Sequence, residues 1–541
     1  MRFKKLLPVG LLLVAVVCYG FVVFANKPMQ SPSFSHSSGF YGDSFQLEIT
    51  APKGCTVYYT LDGSIPDETS LVYNGPLLME NATDNQNVYS AIEGISVYQV
   101  VNVPDYSIDK CNVVRAVAVS PLGISSEVVT ASYFVGIGGE SYKGCNVVSV
   151  VTDPENLFDH HKGIYMLGAI FEDYAVNGDT TRYPFYWSAN YNQRGMDWER
   201  PAYMEFFDSE GNLVLQKNGG MRIRGGTTRA WGKKGFNLFS RYQYDGSESF
   251  GTQLFEGYQP AAVSLMTGGN QPILQFHDYA FNNLISQLDV VTAEYKPYIL
   301  FLDGEYWGFY WLAEKFDQQF FAQHYNVDQD LVVMIKNKAV EVGQDKDIAL
   351  YTQLEQFVEN TDMSVKENFE AACSMIDMES CLDYYASFIY AARSNDWPHY
   401  NVGMWRTRTT EDNAFGDGRW RFVIFDCNTA LMGVPQDCTY EDNTLEFALE
   451  KSAFFRSLWA SEEFRQMFRQ KIFYIADNVL NSERTTAFAD SYIQQMYPVL
   501  SENWNRFYTL ENDKDVEFYA SMEDIKNFFV QRRAVVESWF E

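Results

Sequence analysis

Between residues 31 and 135, apolar and polar positions alternate in short runs: Phe45-Gln-Leu-Glu-Ile-Thr50, Thr56-Val-Tyr-Tyr-Thr60, Asn112-Val-Val-Arg-Ala-Val-Ala-Val119 and Val128-Val-Thr-Ala-Ser-Tyr-Phe134. Successive side chains of a strand point to opposite faces, so a period of two predicts half-buried strands. Asp62-Gly63 and Asn74-Gly75 supply tight turns between them. The pattern predicts a small all-β sandwich over residues 31–137, able to fold alone. After a Gly-rich joint at 136–140 the character changes. Val147-Val-Ser-Val-Val151 reads as a buried strand, and strands dominate to about residue 315. Helical spacing then takes over at 318–324, 364–375, 381–393, 452–480 and 525–540. Strands first and helices later predict an α+β unit over 145–541, as in a two-lobed architecture, so the chain as a whole is multidomain.

Residues 1–28 stand apart. Met1-Arg-Phe-Lys-Lys5 is basic, and residues 6–25 carry no charge. That is a signal peptide or an N-terminal membrane anchor: the length suits a membrane span through residues 6–25, while Val23-Phe-Ala25 suits cleavage. Either way the bulk of the chain is expected outside the membrane, at the cell surface or secreted. The net charge of −29, with no Lys/Arg run away from the N-terminus, excludes a nucleic-acid partner. An anionic ligand must then be held by local cations or by metal. Seven cysteines follow Cys18, none in Cys-x2-Cys spacing, so no zinc site is predicted. Cys55 with Cys111, and Cys373 with Cys381, could bridge, although a chain of this size needs no staples.

Candidate chemistry concentrates in the C-terminal half. Ser394-Asn-Asp-Trp-Pro-His-Tyr-Asn401 holds Asp396 and, five positions on, Asn401; Asp426 then closes the apolar run Trp420-Arg-Phe-Val-Ile-Phe425. Protein kinases present a base and two Mg ligands in this order. Asp396 can accept a hydroxyl proton, while Asn401 and Asp426 offer the oxygens that hard Mg takes. An Asp-x4-Asn alone reads better as a helix cap; its place before a hairpin ending in Phe-Asp reverses that in favour of the metal reading. Upstream, Gly219-Gly-Met-Arg-Ile-Arg-Gly-Gly-Thr-Thr-Arg-Ala-Trp-Gly-Lys-Lys-Gly-Phe-Asn-Leu-Phe239 predicts a Gly-rich hairpin. Its Arg224, Arg229 and Lys234 suit a polyphosphate, though a glycine turn can also bind nothing. Asp278, near the start of a predicted helix, can orient Lys234 or simply favour the helix N-terminus. Two strands about Asp303-Gly304 lead into Glu314-Lys-Phe-Asp317. Glu314 and Lys315 there are candidates to line a nucleotide's adenine or ribose, with ordinary surface pairing as the alternative.

Two resemblances sharpen these readings. Val57-Tyr-Tyr-Thr-Leu-Asp-Gly-Ser-Ile-Pro66, Ser70, Tyr73 and Gly75-Pro76 resemble the chitobiase/β-hexosaminidase C-terminal type of Ig-like domain. That implies an accessory module, with a cell-wall glycan or surface protein as its partner. The second unit is similar to the spore-coat CotH kinase family in Val150-Val-Thr-Asp-Pro-Glu-Asn-Leu-Phe158, Gly163-Ile-Tyr165, Asn192-Gln-Arg-Gly-Met-Asp-Trp-Glu-Arg-Pro201, Asp303-Gly-Glu-Tyr-Trp-Gly-Phe-Tyr310, Glu314-Lys315, Asn395-Asp-Trp-Pro398 with Asn401, and Phe425-Asp426. The resemblance implies an atypical kinase using ATP and Mg or Mn on protein Ser/Thr hydroxyls. It makes Asp396 the base, and Asn401 and Asp426 the metal ligands. Two departures stand out: Leu265-Met-Thr-Gly-Gly-Asn270 lacks the Arg the family has before Asn-Gly-Gly, and His277-Asp278 replaces its Arg-Asp. A non-catalytic surface-binding or adhesion protein on a pseudokinase scaffold is the alternative. A glycosidase would need paired carboxylates across a cleft, and no motif presents such a pair.

Overall fold

The computed structural model describes residues 29–98, 101–137, 142, 144–269, 271–394, 396–431, 439–508 and 513–541. The expected signal peptide or anchor lies outside these residues, as does most of the Gly-rich joint. Among the described residues no helix is long and apolar enough to cross a membrane.

The first region is β-rich. Its five-stranded sheet runs Gly39–Tyr41, Val129–Val135, Asn112–Val119, Thr56–Thr60, Leu71–Val72, with two small pairs, Ser33–Phe34 with Ile49–Thr50 and Phe45–Leu47 with Leu77–Met79. Leu47, Ile49, Val57, Val114, Ala116 and Tyr133 form a core between them. The alternation that predicts half-buried strands hides a second buried face. Val113 and Phe134 leave that core and join a larger one with Val147, Phe207 and Phe301. The Phe134 ring lies 5.5 Å from Phe207 and 4.9 Å from Phe301, both edge-on. A fully buried side chain of this size contributes about 1.5–3 kcal/mol, so the sheet is fastened to the second region rather than tethered beside it. A polar contact crosses the same boundary: the Ser38 hydroxyl donates to the wholly buried Glu205 carboxylate, and the Ser132 and Ser149 hydroxyls meet at 2.8 Å.

The second region opens with a closed seven-stranded barrel in the order Asn146–Val151, Arg200–Phe207, Leu213–Arg224, Gly235–Phe239, Ala262–Met266, Glu305–Glu314, Tyr295–Leu302. The Tyr295–Leu302 strand closes it in parallel against Asn146–Val151. Alternate residues fill the interior, among them Val148, Phe206, Ile223, Leu238, Leu300 and Tyr310. Asp303 and Gly304, with φ 47° and 88°, make the two-residue left-handed turn that suits a twisted hairpin. Helix His277–Ile285 packs outside the barrel with Phe281 stacked on Phe388. Helix Gln318–Tyr325 comes next, and then a four-stranded sheet ordered Ala339–Val342, Val332–Lys336, Gly403–Thr407, Arg421–Val423, with helices around it.

The hairpin expected before Asp426 is present, and strands Val332–Lys336 and Ala339–Val342 interrupt the stretch expected to be helical. The expected 452–480 helix is three pieces, Ala453–Trp459, Glu462–Tyr474 and a π-turn at Ile475–Val479, because the Ser461 hydroxyl accepts from Phe464 N–H and starts a new helix. Helices Ile348–Asn360 and Ser482–Phe507 add to the expected set. Cys55, Cys111, Cys373 and Cys381 are all free thiols, so neither suggested bridge forms.

Candidate functional site

Helix Met378–Tyr390 ends in a chain reversal through Ala392, φ 53°, which delivers Arg393 and Asp396 to one place. Arg393 is fully buried. Its Nη1 donates to the Phe425 carbonyl at 2.8 Å, and its Nη2 lies 3.6 Å from Asp396 Oδ1. Trp397, also fully buried, donates its indole N–H to the Tyr384 hydroxyl at 3.0 Å and pins the loop. Asn401 then turns the chain back into strand Gly403–Thr407 with φ 52°, a conformation Asn tolerates better than most residues. Across the strand pair, Asp426 takes φ 50° at the exposed end of the apolar run. Non-glycine residues held in this region of backbone space cost about 1–3 kcal/mol each and collect at functional positions.

The three sequence-predicted residues meet. Asn401 Nδ2 donates to Asp396 Oδ2 at 2.7 Å and to Asp426 Oδ2 at 3.2 Å. Because both partners are carboxylates, the amide must present its NH2 to them, which turns Oδ1 away from both. Thr429 adds its hydroxyl to Asp396 Oδ1 at 3.5 Å. Phe425, just before Asp426, lies edge-on to Phe316 at 5.1 Å, with the Lys336 ammonium 4.4 Å from its centroid. Gly403 makes room for it: a Cβ there would stand 2.3 Å from the ring.

The barrel supplies the opposite wall. Asp278 Oδ1 accepts Cys427 N–H at 2.7 Å, tying the helix that begins at His277 to the residue after Asp426. Burial, and then the charge of Asp426, hold the Asp278 carboxyl above the usual carboxylate range, with Arg224 and Arg393 acting against them. Arg224, half-buried at the end of strand Leu213–Arg224, makes no hydrogen bond or ion pair among the described residues.

The remaining expected residues sit otherwise. Arg229 gives its guanidinium to the carbonyls of Gly225, Tyr191 and Gln193 at 2.7, 3.0 and 3.0 Å, and burial pushes it down to about 9. Lys234, wholly buried, donates to the carbonyls of Ile95, Arg229 and Trp231 at 2.7, 2.7 and 2.6 Å. The expected Asp278–Lys234 pair is not formed, and these two cations tie the Gly-rich hairpin to its own backbone and to the carbonyls of Ile95, Tyr191 and Gln193. Glu314 accepts from Glu294 N–H and bonds His324, each at 2.8 Å. It lines a cavity of about 400 Å³ with Asn282, Tyr295 and Tyr325, which none of Asp396, Asn401 and Asp426 lines. Lys315 is half-buried, and its charge offsets the burial of Asp317.

Two cations escape the sequence reading. Arg393 lies only three residues before Asp396, and Lys336 ends the apolar run Leu331-Val-Val-Met-Ile-Lys336, a strand signal in a stretch read as helical. The cluster's oxygen-only donors, one amide and an exposed carboxylate, fit a hard divalent cation that keeps several waters. A second carboxylate group, Asp289, Glu379 and Asp383, already holds Lys471, which pairs with Glu379 and lies 2.8 Å from Asp383.

A search among curated proteins found no match. Residues 46–133 match the family model described as Fn3 associated, which marks the first region as Fn3-related. Residues 221–536, more than half of the chain and inclusive of Arg224, Asp278, Asp396, Asn401 and Asp426, match the model described as CotH kinase protein. The chain belongs to the CotH kinase protein family.

Proposed function

We propose that this chain is an exported or cell-surface atypical kinase, two-lobed about the Asp396–Asn401–Asp426 cluster, which transfers the terminal phosphate of ATP to a protein Ser/Thr hydroxyl. The observation that carries this reading is the meeting of Asp396 and Asp426 on the single amide of Asn401, which brings the candidate base and both candidate metal ligands to one place. Family membership points the same way. Mg, held by Asn401 Oδ1 and Asp426, would neutralise charge on the phosphates.

Asp396 works on the acceptor. A hydroxyl hydrogen-bonded to its carboxylate passes it a proton as the hydroxyl oxygen bonds to the terminal phosphorus. The bond from that phosphorus to the ADP oxygen breaks, and ADP leaves with the electron pair. Asn401 sets how far the base stands from the metal ligand. Buried Arg393, with Nη2 3.6 Å from Asp396 Oδ1, sets a positive charge beside that carboxylate. Arg224, uncommitted at the barrel edge, is placed for an anionic group. The Fn3-related region is an accessory, with a surface glycan or protein as its partner.

The test is titration calorimetry of the full chain with ATP, with and without Mg. Binding is expected only with Mg, and Asp426→Ala should abolish it while leaving the melting temperature of the ligand-free protein nearly unchanged, since an exposed carboxylate is not a core contact. Equal Mg-ATP affinity in the variant would remove Asp426 as a ligand and the reading with it.

A further inference from the structure

Lys336 has no counterpart in the expected set. It is the last residue of strand Val332–Lys336, paired with Gly403, and the next residue, Asn337, donates its N–H at 3.0 Å to the carbonyl of Val402, the neighbour of Asn401. The sheet therefore carries the lysine to the Asn401 turn. Its ammonium stands 4.4 Å from the centroid of Phe425, the residue before Asp426. It makes no hydrogen bond or ion pair among the described residues, although the side chain is half-buried. The ammonium lies over that ring face with no protein acceptor among the described residues. Lys338 pairs with Glu355 at 2.7 Å, and Lys233 and Lys234 are bound to carbonyls.

The same place lacks a cation from the loop itself. Between Asp396 and Asn401 the chain reads Trp-Pro-His-Tyr, so no Lys or Arg of that loop can follow a phosphoryl group moving from metal to acceptor. Charge developing on such a group calls for a fixed positive partner.

We infer that Lys336 is the cation for the terminal phosphate, delivered to the gap between Asp396 and Asp426 by the strand inserted after helix Gln318–Tyr325 rather than by the Gly-rich hairpin. This rests on the proposed kinase function, since the group lying between a base-bound hydroxyl and the metal is the phosphate to be transferred. Burial pushes the amine below its usual range, with the charge of Asp426 acting against that shift.

The inference is tested by comparing Mg-ATP and Mg-ADP affinities of the full chain by calorimetry, in wild type, Lys336→Met, Lys336→Arg and Lys338→Met. Lys336→Met should weaken ATP by about 10- to 100-fold, the equivalent of one charge-assisted hydrogen bond, and leave ADP within about twofold. Lys336→Arg should recover much of the loss, and Lys338→Met should match wild type. Equal ATP affinity in wild type and Lys336→Met, or equal losses for ATP and ADP, overturns the assignment to the terminal phosphate while leaving the kinase reading standing. A wild type that binds neither nucleotide with Mg overturns both. Should Lys336→Met fold poorly by circular dichroism, Lys336→Gln takes its place with the same expected split.

Discussion

Lys234 is a cation whose charge the fold consumes. Three carbonyls surround its amine, and burial holds that amine well below its ordinary value. Lys234→Met would leave three acceptors without a donor in a dry site, each costing about 1–3 kcal/mol if unrelieved. The variant should therefore melt well below wild type, yet bind Mg-ATP normally per folded molecule. A loss of nucleotide affinity without loss of stability would return Lys234 to the site. The contrast with Asp396, Asn401 and Asp426 shows what is legible in a sequence at this scale. Metal and base chemistry admits few residue types, and an Asp-x4-Asn before a hairpin ending in Phe-Asp restricts them further. Whether a lysine beside glycines faces a ligand or carbonyls depends on a backbone path that no spacing records. Lys336 escapes a linear reading for the same reason, since it meets Phe425 only through pairing across the sheet, and Arg393 meets the Phe425 carbonyl only through the fold.

At the scale of elements, the site depends on how the strand pair Gly403–Thr407 and Arg421–Val423 seats Phe425. The ring rests where Gly403 has no side chain, and Phe316, from the connector after the barrel, closes over it edge-on. Gly403→Ala would place a methyl 2.3 Å from the ring, forcing a shift of the residue that precedes Asp426. Overpacking of this kind costs about 1–3 kcal/mol, and Mg-ATP affinity should fall with it. A variant of unchanged stability and affinity would show that Phe425 does not position Asp426. The hairpin around Asp303-Gly304 and the strand pair that leads to Asp426 are legible from alternation and turn chemistry. Strand Val332–Lys336 is not, because a short apolar run can equally be a buried helix turn. Helix Ser482–Phe507 is obscured by its polar, aromatic-rich sequence and by the interior Pro498.

Across the whole molecule, the first sheet and the barrel share one core, which the period-two pattern does not reveal because Val and Ala occupy both faces of strand Asn112–Val119. Glu205 sits at that junction, its carboxyl raised by burial to about 7, with hydrogen bonds from Ser38 and Ser132 acting against the burial. Below about pH 4.5 the acid is protonated both folded and unfolded, with no penalty. Between about 4.5 and 7 the folded chain keeps a proton the unfolded chain has lost, so stability falls as pH rises, by roughly 3 kcal/mol in all. Above 7 the penalty is complete. Glu205→Gln should thus be more stable than wild type at pH 8 and about equal at pH 4 in paired thermal melts. A difference independent of pH would mean that Glu205 does not titrate at this junction.

In the proposed reaction Asp396 takes a proton while the neighbouring groups hold the nucleotide. Asp396→Asn keeps the shape and removes the basic oxygen. Incubation of the full chain with labelled ATP, Mg or Mn, and a Ser-rich protein acceptor measures the transfer directly. Wild type should transfer label, and Asp396→Asn should do so about 10²- to 10⁴-fold more slowly, with ATP affinity barely moved. Equal transfer by the two proteins, or a wild type that binds ATP and labels no acceptor, contradicts the kinase reading and leaves a binding protein built on the same scaffold.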